Sequence, residues 1–339
     1  MSISFKEDHI SQIPALLMLE KLGYTYLTPD EALALRGGSV ANVVLESILR
    51  ERIAAINVVQ VSSTRTTVFS EQNITAGIEA LRNIPMDEGF MEASHTVYDL
   101  LTFGKTLEQI VDGDRKSFVM QYIDWKDIRN NVFHVTEEFA VSRTGMTDTY
   151  RPDIVLFVNG IPLCVIECKR PDVKDSIEQA ISQHLRNQKA DGIRSLYLYS
   201  TLLLAINRQE GSYATTATPE KFWARWREQF TDREEEARYR QELERVVNEP
   251  LLDDKLFGER FDYVHRNFED LYKQPVTPSV QDEYLYSLCR PERLLQLMYS
   301  FTLYDDGIKK VARYQQYFAV RQTMQRIRHI EGGRRRGGF

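Results

Sequence analysis

Two short apolar runs lie close together in the middle of the chain. They span residues 154–158 and 163–166, and Asn159 and Gly160 lie in the gap between them. Both runs are rich in Val, Ile and Leu, which favours strands of a buried sheet. Asn-Gly is typical of the tight turn that joins two antiparallel strands. The pattern therefore predicts a β-hairpin in the protein core.

The rest of the chain mixes helical and alternating patterns, which predicts a sheet flanked by helices. Apolar residues at helical spacing predict helices over 4–22 and 40–56. Helices are also expected over 29–36 and 176–188, over the highly charged segment 231–249 and over the basic segment 312–330, with a further helix starting at Pro291. Ser176 is the expected N-cap of the helix that follows the hairpin. Residues 73–83 and 91–110 have helical or mixed patterns, and strands are expected over 24–27, 118–125, 132–142 and 196–206.

Charged residues stand at the ends of the predicted hairpin. Asp153 begins the first strand, and Glu167 and Lys169 end the second at positions two apart, so their side chains share a face. Charges beside an apolar core are costly unless they are paired. Two carboxylates near a lysine indicate a Mg²⁺ site, in which one or two carboxylates act together with water and phosphate oxygens. This constellation suits metal-assisted phosphodiester hydrolysis; a structural ion pair on a hairpin is the alternative.

These residues also carry a family resemblance. Pro152-Asp153 followed by Glu167-Cys168-Lys169 resembles the Pro-Asp…(Asp/Glu)-x-Lys nuclease motif. The fuller run RPDIVLFVNGIPLCVIECKRP is similar to the N-terminal nuclease domain of type I restriction enzyme R subunits. The resemblance implies an α/β fold with a PD-(D/E)xK restriction-endonuclease-like central mixed sheet flanked by helices. It also implies that Asp153, Glu167 and the carbonyl of Cys168 bind Mg²⁺, and that Lys169 orients or activates the attacking water.

Two further segments would add residues to this site. Where the family carries Gln-x-x-x-Tyr, this chain has Gln183 and, in place of the tyrosine, Asn187. Gln183 would position the catalytic groups and Arg186 would contact the DNA backbone, although a row of exposed amides on the helix is the alternative. The first helix of the family often supplies an acidic residue near the metal, and Glu7 and Asp8 are the candidates here.

The last part of the chain resembles the start of a motor domain. The segment containing Gln315 and Gln316 is similar to the glutamine-containing segment that precedes the phosphate loop of superfamily 2 helicases, where glutamine reads the adenine edge. No G-x-x-x-x-G-K-[ST] loop occurs in the sequence. We therefore expect an N-terminal piece of a longer subunit. Its expected parts are an endonuclease domain at 1–228, a charged helical linker at 229–285 and the start of a helicase-like motor at 286–339.

Composition narrows the class of protein only mildly. The 339 residues are 42% hydrophobic and 27% charged, as in ordinary globular proteins, and the net charge of −6 argues against passive nucleic-acid binding. Two features weaken that argument. The last stretch of the chain is strongly basic, and an acidic cluster that binds metal lowers the net charge without excluding a DNA substrate. The three cysteines, Cys164, Cys168 and Cys289, show no zinc spacing and are read as reduced thiols of a cytoplasmic protein. No apolar run approaches the ~18 residues of a membrane span.

The sequence thus predicts a Mg²⁺-dependent endonuclease domain that acts on double-stranded DNA. The resemblance implies that it works with the modification and specificity subunits of a type I restriction-modification complex, and that ATP is used only by the full-length subunit. Two alternatives stay open at this point. One is a nuclease-fold exonuclease of repair or recombination, and the other is a non-catalytic DNA-binding or assembly module.

Overall fold

The computed structural model describes residues 11–61, 64–250, 255–258, 260, 262–328, 330–331 and 334–335. The strands are β1 Thr25–Leu27, β2 Val58–Gln60, β3 Thr66–Val68, β4 Lys105–Val111, β5 Asp114–Met120, β6 Phe133–Glu137, β7 Val141–Ser142, β8 Thr149–Tyr150, β9 Ile154–Val158, β10 Ile161–Cys168, β11 Leu202–Ile206, β12 Gly211–Ala214, β13 Thr302–Asp305, β14 Ile308–Val311, β15 Ile330–Glu331 and β16 Arg334–Arg335.

The helices surround these strands along the whole chain. They are α1 Ile13–Lys21, α2 Pro29–Leu35, α3 Glu46–Ile56, α4 Glu71–Arg82, α5 Phe90–Phe103, α6 Ser176–Asn187, α7 Arg194–Tyr197, α8 Arg233–Val247, α9 Lys255–Gly258, α10 Asp262–Leu271, α11 Val280–Cys289, α12 Pro291–Ser300 and α13 Tyr314–Arg328. Short 3₁₀ turns occur at Ile128–Asn130 and Glu220–Phe222.

A six-stranded mixed sheet forms the centre of the fold. Its strand order is β1-β6-β9-β10-β11-β12, in which β1 and β6 are parallel, as are β10 and β11, and the other neighbours are antiparallel. Every residue of β9 and β10 is buried. Helix α6 connects β10 to β11 and packs on both strands. The expected mixed α/β architecture, with helices around a central sheet, is therefore confirmed.

The predicted hairpin is confirmed in its details. Asn159 and Gly160 both have positive φ, 51° and 82°, as the type I′ turn requires. Gly160 also needs the absence of a side chain, because a Cβ atom there would lie 2.5 Å from the carbonyl oxygen of Leu45. The Asn159 side chain donates to the carbonyl of Tyr122 at 2.9 Å and accepts from the amide of Val132 at 2.9 Å. The turn is thereby fixed to neighbouring loops.

Two expectations after the hairpin are wrong. The apolar run 196–206 is not one strand, since α7 precedes β11 and parallel pairing with β10 begins only at Leu202, opposite Cys164. Ser176 is not the N-cap of α6. Asp175 takes that position in a left-handed conformation, and the Ser176 hydroxyl instead accepts from the side-chain amide of Asn207 at 2.8 Å.

Two expectations before the hairpin also need correction. Helix α3 starts at Glu46 rather than near 40, because the amide of Leu45 donates to the carbonyl of Gly160 instead of to a helix. The helical or mixed structure expected at 91–110 is confirmed as mixed, since α5 ends before Gly104, where a φ of 79° turns the chain into β4. The strand expected over 132–142 stops at Glu137, because Glu138 has a φ of 47° and bends the chain away.

The helices after the sheet pack against its first helix. Helices α8 and α11 both contact α1, and α11 also contacts β12 and α12. Buried side chains of α11 and α12 belong to the same hydrophobic core as the central strands. The division of the chain at 228 and 285 stays a prediction.

Candidate active site

The start of β9 and the end of β10 bring two carboxylates together. In this antiparallel pair, Ile154 lies opposite Ile166. Asp153 and Glu167 are the next residues beyond this pair, so they lie side by side at the end of the two strands. The Asp153 carboxylate accepts a hydrogen bond from the backbone amide of Cys168, with Oδ2 and N 2.7 Å apart. The hairpin register therefore places both acids at the same end of the sheet.

Lys169 lies at this same point. Its ammonium is 3.6 Å from Asp153 Oδ2 and donates to the carbonyl of Cys168 at 3.0 Å. The two side chains of the ion pair are only 14% and 17% exposed, for Lys169 and Asp153 respectively. Because little of either side chain is exposed, water and salt screen the two charges only weakly, and the lysine charge acts strongly on its neighbours.

Glu167 has no solvent-accessible surface. Burial is the main cause that raises the pKa of its carboxyl well above the usual value, and the nearby charge of Asp153 adds to the rise, while Lys169 opposes it. Two amides from α6 donate to this carboxyl. The side chain of Gln183 binds Oε2 at 2.5 Å, and that of Asn187 points to Oε1 at 3.4 Å.

The other polar residues of α6 point elsewhere. The amide of Gln179 binds the carbonyl of Lys174 at 2.9 Å, away from the carboxylates. The exposed Arg186 donates to Asn187 Oδ1 at 3.3 Å, and its guanidinium lies 4.7 Å from the ring of Tyr150. The structure thus brings Gln183 and Asn187 to Glu167, whereas the guanidinium of Arg186 contacts Asn187 and Tyr150.

Ser11 and Gln12, directly ahead of α1, hold the backbone next to β9 and β10, which the sequence did not indicate. The Ser11 hydroxyl donates to the carbonyl of Lys169 at 2.7 Å. The Gln12 side chain donates to the carbonyl of Asp153 at 3.3 Å and to the buried carboxylate of Glu137 at 3.1 Å. Polar residues just ahead of an apolar helix were the only available signal, and they resemble ordinary helix starts.

An acidic pair at the end of β6 also faces the site. Glu137 accepts from the Tyr26 hydroxyl at 2.5 Å and forms an ion pair with Arg260. The Glu138 amide donates to the carbonyl of Asp153 at 3.0 Å. Burial and then the Asp153 charge raise the pKa of the Glu138 carboxyl. Glu7 and Asp8, the acidic residues nominated from the sequence, lie outside the described residues.

An open cleft of about 540 Å³ leads to these groups. Acidic residues line it together with the basic side chains of Lys169, Lys255 and Arg260. Its mixture of carboxylates and cations suits a ligand that bears phosphate groups and arrives with a metal ion. Gln315 and Gln316 lie elsewhere, on α13, where Gln316 accepts from the amide of Arg313 at 2.8 Å and lines an apolar cavity of about 770 Å³.

The oxygen atoms that a divalent cation could use at this site are those of Asp153, Glu167 and the carbonyl of Cys168. Among the described residues, no three His, Cys, Asp or Glu side chains form a metal-binding group. Mg²⁺ often uses only one or two carboxylates and fills its shell with water and substrate oxygens. The raised pKa of the fully buried Glu167 means that a negative charge there, beside Asp153, is poorly compensated by the protein, and a bound cation would supply that compensation. Two carboxylates with the carbonyl of Cys168 therefore fit Mg²⁺.

The fold and site define a mixed α/β protein with two carboxylates and a lysine at one end of its central strands. Residues 4–222 match the family described as type I restriction enzyme R protein N terminus. This match covers more than half of the chain, so the chain belongs to that family. Among the described residues, no helix is both long and apolar enough to span a membrane.

Two curated relatives show the extent of the similarity. The chain is 26% identical over 327 residues to the putative type I restriction enzyme MjaIXP endonuclease subunit of Methanocaldococcus jannaschii, covering 94% of this chain and 28% of the relative. It is 25% identical over 331 residues to the type I restriction enzyme HindI endonuclease subunit of Haemophilus influenzae, covering 94% of this chain and 26% of the relative. The chain thus spans about a quarter of the length of these relatives.

Proposed function

We propose that this chain is the Mg²⁺-dependent DNA endonuclease part of a type I restriction-modification R subunit. The observation that carries the proposal is the meeting of Asp153, Glu167 and Lys169, of which Asp153 and Lys169 line an open cleft. The mixed order of the central sheet, with the acids at the ends of an antiparallel pair, supports a PD-(D/E)xK nuclease fold. The names of the curated relatives support the same activity.

The roles of the residues follow from their positions. Asp153, Glu167 and the carbonyl of Cys168 would hold the cation, and Gln183 keeps one Glu167 oxygen in place through its 2.5 Å hydrogen bond. Bound Mg²⁺ supplies Lewis-acid stabilisation of the phosphate charge. Lys169 reaches the same point with an ammonium that can orient the attacking water and stabilise the charge that develops on the phosphate.

We propose that basic side chains in and near the cleft hold the DNA backbone. Lys255 and Arg260 line the cleft with positive charge, and Arg186 presents an exposed guanidinium next to Asn187. Phosphate contacts of this kind position a duplex without reading its sequence. We infer that sequence preference comes from the modification and specificity subunits, as the resemblance implies.

The relatives' greater length suggests a further part of the working subunit. We propose that a helicase-like motor uses ATP in the full-length subunit, with Gln315 and Gln316 near its nucleotide. Cys164, Cys168 and Cys289 are reduced thiols buried in the protein, which supports a reducing cytoplasmic setting.

Calorimetry with Mn²⁺ tests the metal site on the chain itself. We expect weak binding to the native chain and none to Asp153→Ala, because Asp153 provides one of the two carboxylates. Asp172→Ala is a matched control, since its carboxylate is 59% exposed and pairs with Arg170 outside the cleft. Equal heats from the native chain and Asp153→Ala would remove Asp153 from the site and favour a non-catalytic module.

A further inference from the structure

A buried carboxylate in the wall of the cleft is held by donors from three separate segments. Glu137, at the end of β6, accepts from the Tyr26 hydroxyl at 2.5 Å, from the Gln12 side chain at 3.1 Å and from the guanidinium of Arg260. All four residues line the cleft, and Glu137 and Gln12 are both buried. In a buried network of this kind, in which both carboxylate oxygens are hydrogen-bonded, each bond restricts the next.

The Gln12 side chain connects this carboxylate to Asp153. Its Nε2 atom lies 3.1 Å from Glu137 Oε2 and 3.3 Å from the backbone carbonyl oxygen of Asp153. A carboxylate oxygen and a carbonyl oxygen both only accept, so the nitrogen of the Gln12 amide, and not its oxygen, must face them. The NH₂ group has two hydrogens, one for each acceptor. Gln12 therefore bridges Glu137 and Asp153 directly.

The backbone of Asp153 depends on such donors because it lies outside the strand ladder. The pairing of β6 with β9 ends at Ile154, one residue later in the chain. The Asp153 carbonyl instead accepts from the amide of Glu138 at 3.0 Å and from Gln12, and its carboxylate accepts from the amide of Cys168 at 2.7 Å. The first two donors fix the backbone from which the carboxylate extends, and the third fixes where the carboxylate ends.

We propose that Gln12 and Glu137 are positioning residues for the metal site. Glu137 holds the Gln12 amide, and this amide fixes the backbone of Asp153 and thereby the direction of the Asp153 carboxylate. The inference rests on the proposed function, since it concerns the cation that Asp153 would bind. Groups that orient metal ligands typically affect metal affinity by about 10–100-fold when removed.

Gln12→Met tests the proposal, because methionine has a similar length but no hydrogen to donate. Mn²⁺ affinity of the whole chain, measured by calorimetry, should fall about tenfold. Gln188→Met is the matched control. Gln188 is also buried, and its side chain donates to the carbonyl of His184 at 3.0 Å and accepts from the amide of Ala217 at 2.7 Å, but it lines a different cavity. Native affinity in Gln12→Met, or an equal loss in Gln188→Met, would overturn the inference.

A double-mutant cycle tests whether Glu137 acts through Gln12. Glu137→Gln keeps the size of the side chain but removes one of the two acceptor oxygens, so it should also lower Mn²⁺ affinity. Adding it to Gln12→Met should cause no further loss, because the bridge is already broken, and additive losses would overturn the inference. The proposed function is tested separately. Native Mn²⁺ affinity in Asp153→Ala would exclude the metal site itself, whereas loss of binding there with native affinity in Gln12→Met would exclude only this inference.

Metal-free NMR spectra examine the same hydrogen bonds. In the native chain, both Nε2 hydrogens of Gln12 should exchange slowly with water, because both are hydrogen-bonded inside the protein. The amide signal of Cys168, which donates to Asp153 Oδ2, should move in Gln12→Met and stay unchanged in Gln188→Met. An unmoved Cys168 signal in Gln12→Met would overturn the inference. Fast exchange of the Gln12 amide in the native chain would do so even if Gln12→Met failed to fold.

Discussion

Replacing Lys169 with Ala removes a cation that lies 3.6 Å from an Asp153 oxygen. At an effective dielectric constant of about 20, two unit charges at that separation interact by about 5 kcal/mol. Alanine also removes the cost of keeping an ammonium poorly hydrated, so the net loss of folding stability is smaller than this gross figure. The variant should therefore fold, although the negative charges of Asp153 and Glu167 lose the nearby positive charge of Lys169.

The effect on catalysis should be larger than the effect on folding. Under the proposed function, the Lys169 ammonium would stabilise charge on a phosphate whose other oxygen contacts the cation. Loss of one such contact typically costs about 10²–10³ in rate, or roughly 3–4 kcal/mol. Lys169→Arg should not restore the rate, because the planar guanidinium presents its charge differently from a compact ammonium.

The assay measures breaks in a plasmid that carries the recognition site, using the full-length subunit with its partner subunits and ATP. Lys174→Ala is the matched control, since this lysine is five positions further along and its side chain is 91% exposed. We expect native cleavage by the control and almost none by Lys169→Ala, with Mn²⁺ binding largely kept. Cleavage at the native rate by Lys169→Ala would refute the reasoning and leave a structural ion pair as the better account.

Two other predictions concern the last part of the chain. The 339-residue chain should show no ATPase activity with or without DNA, because its sequence has no phosphate-binding loop; DNA-stimulated hydrolysis by the pure chain would contradict this. Lys309 is buried, and burial lowers its pKa from 10.5 to about 7. Between these two pH values the unfolded chain binds more protons than the folded chain. The free energy of unfolding should therefore rise with pH in this range. Denaturant unfolding at pH 7 and 9 should show a gain of about 2 kcal/mol that Lys309→Met lacks; equal gains in both proteins would exclude Lys309 as the cause.

The hairpin and its acids could be predicted because their determinants are local. Asn159 and Gly160 specify the turn by themselves, since both adopt positive φ. Once two antiparallel strands are joined by a tight turn, the residue before the first strand must lie beside the end of the second. The juxtaposition of Asp153 and Glu167 therefore followed from the pattern without any knowledge of the rest of the fold.

The groups that hold the acids could not be predicted, because their contacts are not local. Gln12 reaches Glu137 across 125 positions, and no spacing in the sequence indicates such a pair. Tyr197, whose hydroxyl lies 2.9 Å from His184 Nδ1 of α6, lies in an apolar run whose pattern predicts a strand. The helical turn of α7 forms there because parallel pairing with β10 starts only at Leu202. Strand register, a property of the assembled sheet, thus decides where this phenol points.

The end of the sheet that carries Asp153, Glu167 and Lys169 is also tied to helices far beyond the hairpin. The Gln281 side chain of α11 donates to the carbonyl of Ser11 at 2.6 Å, and the Ser11 hydroxyl donates to the carbonyl of Lys169 at 2.7 Å. Gln281 and Ser11 are both buried, so neither hydrogen bond can be exchanged freely for water. The backbone that carries Lys169 is therefore held by α1, and α1 by α11. The position of the lysine is a property of the whole packed chain, although the motif that contains it is only a few residues long.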